Sequence, residues 1–241
     1  MRLIKADLHI HTCLSPCAEI SISPKRIVEK AFKCGFDMIF ITDHNSMENA
    51  EAAIRASRGY ESLNVYPGME ITSKEEVHTL ALFKDIQSAY NTQRTVHRNL
   101  PNAVNQSEFI EQIIANEFDE VEGYSAKSLF SAVNMSVSEI VDLIHNNKGL
   151  AIAAHIDRES FSVISQLGFI PGNLNFDALE VSPNTDLEKA KDKFKEYYEK
   201  YNFVTGSDSH FIDNFGKFFM EFECEDNSFE SFASYIRKSK N

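Results

Sequence analysis

The chain has 241 residues, 43% of them hydrophobic and 25% charged, so it can bury a sizeable core and is neither disordered nor fibrous. Its formal net charge of −12 excludes a general affinity for nucleic acid or anionic membrane surfaces. No apolar run approaches the ~18 residues that span a bilayer, and the four cysteines form no CxxC pair, so a reducing cytoplasm is the expected location.

Short apolar runs alternate with helical patterns along the chain. Strands are predicted at Leu3–Leu8, Met38–Thr42, Asn64–Pro67, Leu80–Phe83, Leu150–Ala154, Ala178–Val181 and Phe203–Thr205. Helices are predicted at Pro24–Cys34, Glu48–Ser57, Ser136–Asn146 and Asp186–Tyr201. Ser23 before Pro24 reads as an N-cap, and Gly35 and Gly149 stand where helices end. Residues 85–135 break the rhythm. They are polar and too long for an ordinary connection, so they read as an insertion with one or two helices of its own. A last strand, Phe218–Glu223, and a closing helix, Phe229–Lys238, complete the chain. This β-α alternation predicts an α/β fold with a mostly parallel sheet or barrel in a single domain, 1–241.

Five of the strand candidates end in residues that bind metals. Asp7, His9 and His11 alternate along the first strand, and alternation puts them on one face, with Asp7 able to orient an imidazole. Asp43-His44, Glu70, His155 and the pair Asp208/His210 follow later strands. In α/β barrels the strand C-termini converge on one mouth, so five such ends point to one place. One HxH pair is weak evidence; the agreement of five clusters is strong. His78 is the exception, because it precedes its apolar run: either that strand runs the other way, or His78 reaches the mouth from a loop. Imidazole and carboxylate donors suit Zn, Mn or Fe in an open site. Arg158, three residues beyond His155, either forks onto a phosphate or forms a surface ion pair. Nucleotide-binding glycine loops and a GxSxG nucleophile elbow are absent, and basic residues are not interleaved with aromatics along the sequence.

Taken together, Asp7-Leu8-His9-Ile10-His11-Thr12, Thr42-Asp43-His44-Asn45, Gly68-Met69-Glu70-Ile71, Glu76-Val77-His78, Ala154-His155 and Ser207-Asp208-Ser209-His210 resemble the PHP (polymerase and histidinol phosphatase) domain. The resemblance runs from residue 5 to about 211. It implies a distorted (β/α)7 barrel with two or three divalent ions, Zn, Mn or Fe. By that likeness His9, His11, Glu70 and Asp208 hold one ion, Glu70 bridges to a second held by His78 and His155, and His44 and His210 serve a third. Many members have a further histidine six residues after the HxH pair. Here that position is Cys17, which is either a thiolate ligand or a buried structural cysteine.

The implied reaction is hydrolysis of a phosphate ester by in-line attack of a metal-bound hydroxide, with Asp43 or His210 protonating the leaving group. The expected substrate is a small phosphorylated molecule, most of all a nucleotide or a short nucleic-acid end. A histidinol-phosphate-type phosphatase and a non-catalytic metal-binding module are the alternatives, and amide or lactone hydrolysis is a distant third. The 85–135 insertion is expected either to cover the mouth as a lid, with Arg94, His97 and Arg98 meeting a charged substrate, or to be a solvated structural addition.

Overall fold

The computed structural model describes residues 1–103 and 111–237. Residues 104–110 of the predicted insertion, and Lys238 of the predicted closing helix, lie outside the described residues. Strand β1 (Arg2–Ile10) leads to α1 (Pro24–Lys33), where the Ser23 side chain accepts a hydrogen bond from the Arg26 amide, as an N-cap should. Then follow β2 (Met38–Ile41), α2 (Ala50–Ala56), β3 (Asn64–Thr72) and β4 (His78–Leu82). The insertion contributes α3 (Ile86–Arg98) and a small hairpin, β5 (Ile113–Ala115) with β6 (Val121–Tyr124). The second half runs α4 (Val137–Asn146), β7 (Leu150–Ala153), α5 (Val163–Leu167), β8 (Ala178–Val181), α6 (Leu187–Lys193), α7 (Lys195–Tyr198), β9 (Asn202–Thr205), β10 (Met220–Cys224) and α8 (Phe229–Arg237).

Eight strands form one sheet in the order β10-β1-β2-β3-β4-β7-β8-β9. A parallel bridge between Ile10 and Ser209 brings the chain after β9 back to β1, so the sheet is nearly closed into a barrel. The fold is therefore mixed α/β and barrel-like. Its described apolar residues divide into two large clusters, with a small third of Cys13, Ile113 and Ala115. Ile4, Ala6, Leu8, Met38, Phe40, Leu80, Ile152 and Val204 pack with Phe232 and Ile236 of α8, while Ile27, Ile39, Ile41, Met69, Ile140, Ile144 and Leu179 pack between the sheet and the other helices.

Three features matter for the site: one decides between alternatives the sequence left open, and two depart from its reading. First, β4 is antiparallel to both β3 and β7, which resolves the position of His78. Its beginning lies at the same end of the barrel as the ends of its neighbours. Second, β3 extends to Thr72, so Glu70 sits within a strand. Third, Asp7 does not share a face with His9 and His11. Between Asp7 and Ile10 strand β1 advances three residues while β2 advances two, from Ile39 to Ile41. Such a bulge reverses the parity of side chains beyond it. Ile10 then joins Ile41 among the helices, and the imidazoles turn into the mouth. The predicted helix 186–201 is also divided, because Phe194, at φ −114 and ψ 36, leaves helical geometry between α6 and α7.

Closure at the β9 edge depends on Gly206. A Cβ there would lie 2.6 Å from the His9 Cβ and 3.0 Å from the His9 amide nitrogen. Backbone cannot yield as a flexible side chain can, so Gly206→Ala is expected to destabilise the fold by about 1–3 kcal/mol. Urea unfolding checks this: an unchanged midpoint would mean that the β9–β1 seam is loose.

Candidate metal centre

His9 Nε2, His11 Nε2, Glu70 Oε2 and Asp208 Oδ1 converge from β1, β3 and the turn after β9. His9 and His11 are 3.1 Å apart through their Nε2 atoms. His9 lies 3.3 Å from Glu70 and from Asp208, and His11 lies 3.3 Å from Glu70 and 3.1 Å from Asp208. A point equidistant from four donors spaced like this is about 2 Å from each, the bond length of zinc to nitrogen or oxygen. Two facing imidazole nitrogens would repel unless a proton or a cation lay between them. The donor set therefore fits a small divalent ion.

Glu70 is the hub of a wider cluster. Its Oε2 also faces His44 Nδ1 at 3.1 Å, and its Oε1 faces His78 Nδ1 at 2.7 Å and His155 Nε2 at 3.1 Å. Among the described residues, three groups have donor atoms close enough to share an ion: His9/His11/Glu70/Asp208, His44/Glu70/His78 and His11/His44/His210. His44 belongs to both the second and the third group, whereas His155, though 3.1 Å from Glu70, belongs to none. Cys17, expected as a possible ligand, belongs to none of the three groups. Cys17 is exposed, so it is not the buried structural cysteine of the alternative reading.

Around these donors a set of polar residues fixes the rings. His11 Nδ1 donates to Ser15 Oγ at 2.9 Å, and Ser15 in turn donates to Asp43 Oδ1 at 2.6 Å. Asp43 also accepts from the Thr12 amide and hydroxyl, both at 2.7 Å. It is fully buried and acts on the cluster through Ser15. His9 Nδ1 donates to Glu180, 3.1 Å from each oxygen, and Glu180 also accepts from the His155 amide at 3.0 Å. These bonds turn both Nδ1–H groups outward and leave the two Nε2 atoms facing inward. Asp7, expected to orient an imidazole, instead accepts from the backbone amides of His9 and Ser207. Burial raises its pKa to about 7. Glu180 was missed because it lies one residue short of a strand end. Its signal was present: a lone carboxylate within the apolar tetrapeptide ALEV has to find a partner.

Arg158 reaches Asp208 Oδ2 at 2.6 Å with its side chain a third exposed, so its ion pair is with the cluster and not with the outer surface. His210 stacks on His11 with ring centroids 4.1 Å apart, and its Nδ1 donates to the Asp208 carbonyl at 2.9 Å. Burial, opposed by the surrounding imidazoles, would raise Glu70, but His78, His9 and His44 hold its carboxyl well below the usual range. Conversely, burial disfavours charge on His11 and His44, yet Asp208 and Glu70 push His11 up to about 9 and Glu70 pushes His44 up to about 9. Burial and His11 drive His210 down to about 3.

Sequence comparison places the chain among known proteins. The pattern of the PHP domain matches residues 7–214, and that of a PHP-associated segment matches residues 188–241. An uncharacterized protein of Methanocaldococcus jannaschii is 30% identical over 104 residues, covering 39% of this chain and 60% of that protein. In fold, the chain is similar to the lesion-specific endonuclease Q of Pyrococcus furiosus, with a TM-score of 0.76 at 19% identity, over 100% of this chain and 57% of the endonuclease. It is also similar to an amidohydrolase of Chromobacterium violaceum solved with bound sulfate and no metal, with a TM-score of 0.64 at 15% identity over 96% of both chains. This chain therefore spans less than two thirds of the length of the first two.

Two outcomes follow from the polar support and the charge state. Glu180→Ala should weaken divalent-metal binding roughly 10–100-fold while Glu180→Gln, which can still accept from Nδ1, loses less; equal affinity in all three proteins on calorimetric titration would remove Glu180 from the centre. Second, His9, His11 and His44 are all held above the ordinary imidazole range in the metal-free protein, the last two at about 9, and a metal needs their lone pairs. Loading at pH 7.5 should therefore release protons from these rings, with affinity rising towards pH 9. Because the folded pKa values of His11 and His44 lie above the ordinary 6.5, their contribution to metal-free stability is complete below pH 6.5 and is lost as pH rises through 9. Titration in buffers of different ionisation enthalpy counts the protons; release of none would contradict the assignment.

Proposed function

Because the chain belongs to the PHP domain family of phosphate-ester hydrolases, we propose that it is a metal-dependent phosphoesterase acting on a nucleotide or a nucleic-acid end. We read the whole chain as one such domain, with β1–β4 and β7–β9 as the distorted (β/α)7 barrel and β10 as an added antiparallel edge. Its four cysteines are free, which supports a reducing cytoplasm as its location. The observation that carries the proposal is the inward-facing cage of His9, His11, Glu70 and Asp208, in which each imidazole nitrogen lies 3.1–3.3 Å from the other and from both carboxylates.

His9, His11, Glu70 and Asp208 hold one ion in this reading. Glu70 with His78 and His155 would hold a second, and His44 and His210, with Cys17, would serve a third. Zn, Mn and Fe suit this donor set. When bound, the ions supply Lewis acidity that polarises phosphoryl oxygens and activates water. Arg158 stands at the rim with one nitrogen on Asp208, and its remaining N–H groups can fork onto a phosphate. Of the two candidate acids, His210 is the more accessible, but burial and His11 drive it down to about 3, so it holds no proton to give at neutral pH and the geometry assigns neither residue as the acid. The His210 side chain is 20% exposed, whereas Asp43 is fully buried and its oxygens already take three hydrogen bonds. Asp43 then serves as a positioning residue for His11. The fold likeness to an endonuclease, one structure of which holds a 27-mer duplex with an abasic lesion at its active site, supports a nucleic-acid substrate over histidinol phosphate.

The test is inorganic-phosphate release by Mn-reconstituted protein from histidinol phosphate, 5′-mononucleotides, 3′,5′-bisphosphonucleosides and 5′-phosphorylated oligonucleotides. Nucleotide or oligonucleotide turnover that His9→Ala and Asp208→Asn abolish with the fold intact is the expected result. Turnover retained in both variants, or metal bound without any turnover, would remove the enzymatic reading.

A further inference from the structure

Helix α3 reads IQSAYNTQRTVHR and carries no acidic residue. In a chain of net charge −12 this is a local reversal of sign. Tyr90, Arg94 and Arg98 are four residues apart, and a repeat of 3.6 residues brings them to one side of the helix. The same side carries Gln93 and His97, and with Lys127 from beyond the hairpin these six line an open cavity of about 320 Å³. Arg94, Arg98 and Tyr90 are exposed. Among the described residues the arginines in ion pairs are Arg2, Arg55, Arg158 and Arg237, which leaves Arg94 and Arg98, with Arg26 and Arg58, without a described carboxylate partner. The nearby acid Glu48 faces His97 and is held by the Ser46 hydroxyl at 3.0 Å.

The cavity is anchored beside the candidate metal centre. His97 Nε2 donates to the Asn45 carbonyl at 3.1 Å, and Asn45 directly follows His44. The Asn45 side-chain amide donates to the Leu129 and Ser131 carbonyls at 2.8 and 3.0 Å, just beyond Lys127. Both walls of the cavity are therefore tied to the residue next to a candidate ligand. From Tyr90 to Arg98 the helix rises about 12 Å, more than one phosphate requires.

We propose that this face is a subsite for the nucleotides next to the scissile phosphate of a single-stranded oligonucleotide. Arg94, Arg98 and Lys127 meet backbone phosphates, and the exposed ring of Tyr90 stacks a base. A basic track interleaved with an aromatic is what sequence-tolerant single-strand binding needs. Neighbours along the sequence do not show the interleaving, but the helical repeat creates it. The substrate class named here rests on the phosphoesterase reading above, whereas the binding face can be tested without turnover.

The test uses the full chain with His9→Ala as a background that does not turn substrate over. Fluorescence anisotropy with a labelled single-stranded oligonucleotide is read at several salt concentrations, with Arg94→Ala/Arg98→Ala, with Tyr90→Ala, and with a charge-matched control, Lys195→Ala/Lys200→Ala. The arginine pair is expected to weaken binding at least tenfold and to flatten the salt slope by about 1.4, two contacts at ~0.7 each. Tyr90→Ala is expected to cost roughly 5–150-fold. The control should change little. Affinity unaltered in the α3 variants, or lost equally in the control, would overturn the subsite. Patch-dependent binding in a protein that hydrolyses no phosphate ester would instead keep the subsite and defeat the phosphoesterase reading.

Discussion

One buried carboxylate, Glu70, faces five imidazoles, and the rest of the mouth is built to make that arrangement tolerable. A lone carboxylate out of water is costly unless it is paired and hydrogen-bonded. Here the pairing is divided by oxygen: His9, His11 and His44 lie on one side, His78 and His155 on the other. Every ring needs its own support, because an imidazole free to rotate would offer the wrong nitrogen. Glu180 supplies that support for His9 and the Ser15–Asp43 pair supplies it for His11. The strands thus carry two concentric polar sets, an inner one that faces a cation and an outer one that decides which nitrogen faces it.

The elements that deliver these groups were largely legible in the sequence. Periodic apolar runs mark most strands and helices, and ligand-type residues at successive strand ends mark the mouth. What stayed hidden depended on pairing between distant segments. The parity change in β1 is invisible until β1 is laid against β2, since one extra residue in a ladder leaves no local trace. The reversed direction of β4 could be posed from His78 but not decided, because an apolar run reads the same both ways. Glu180 looked like an ordinary charge because its partner is 171 residues away. Conversely, the metal-binding types at positions 9, 11, 44, 70, 78, 155, 208 and 210 were recognisable, since few other functions require so many imidazoles beside carboxylates.

Charge is distributed with the same economy. The formal −12 describes the whole surface, but an ion-binding mouth and the α3 face are both regions where anions can be met. A negative exterior with positive ground beside the mouth repels polyanions in general while leaving one direction of approach open. Binding by such a molecule is inherently salt-dependent, and selective by position more than by overall attraction.

Backbone conformation adds a last constraint. Seven described residues other than glycine have positive φ, and five of them, Asn45, Glu76, His155, Phe161 and Asp208, are candidate ligands or stand close to them. Phe161 stacks on His78, and its carbonyl accepts from the His78 amide. Each such conformation costs on the order of 1–3 kcal/mol in a residue with a side chain. In protein-engineering terms, these five are where a screen for thermal tolerance would find its easiest gains, by admitting glycine or straightening a turn. They are also where such gains would take apart the mouth. Variants selected for hardiness alone should therefore drift towards an intact barrel that no longer assembles its centre.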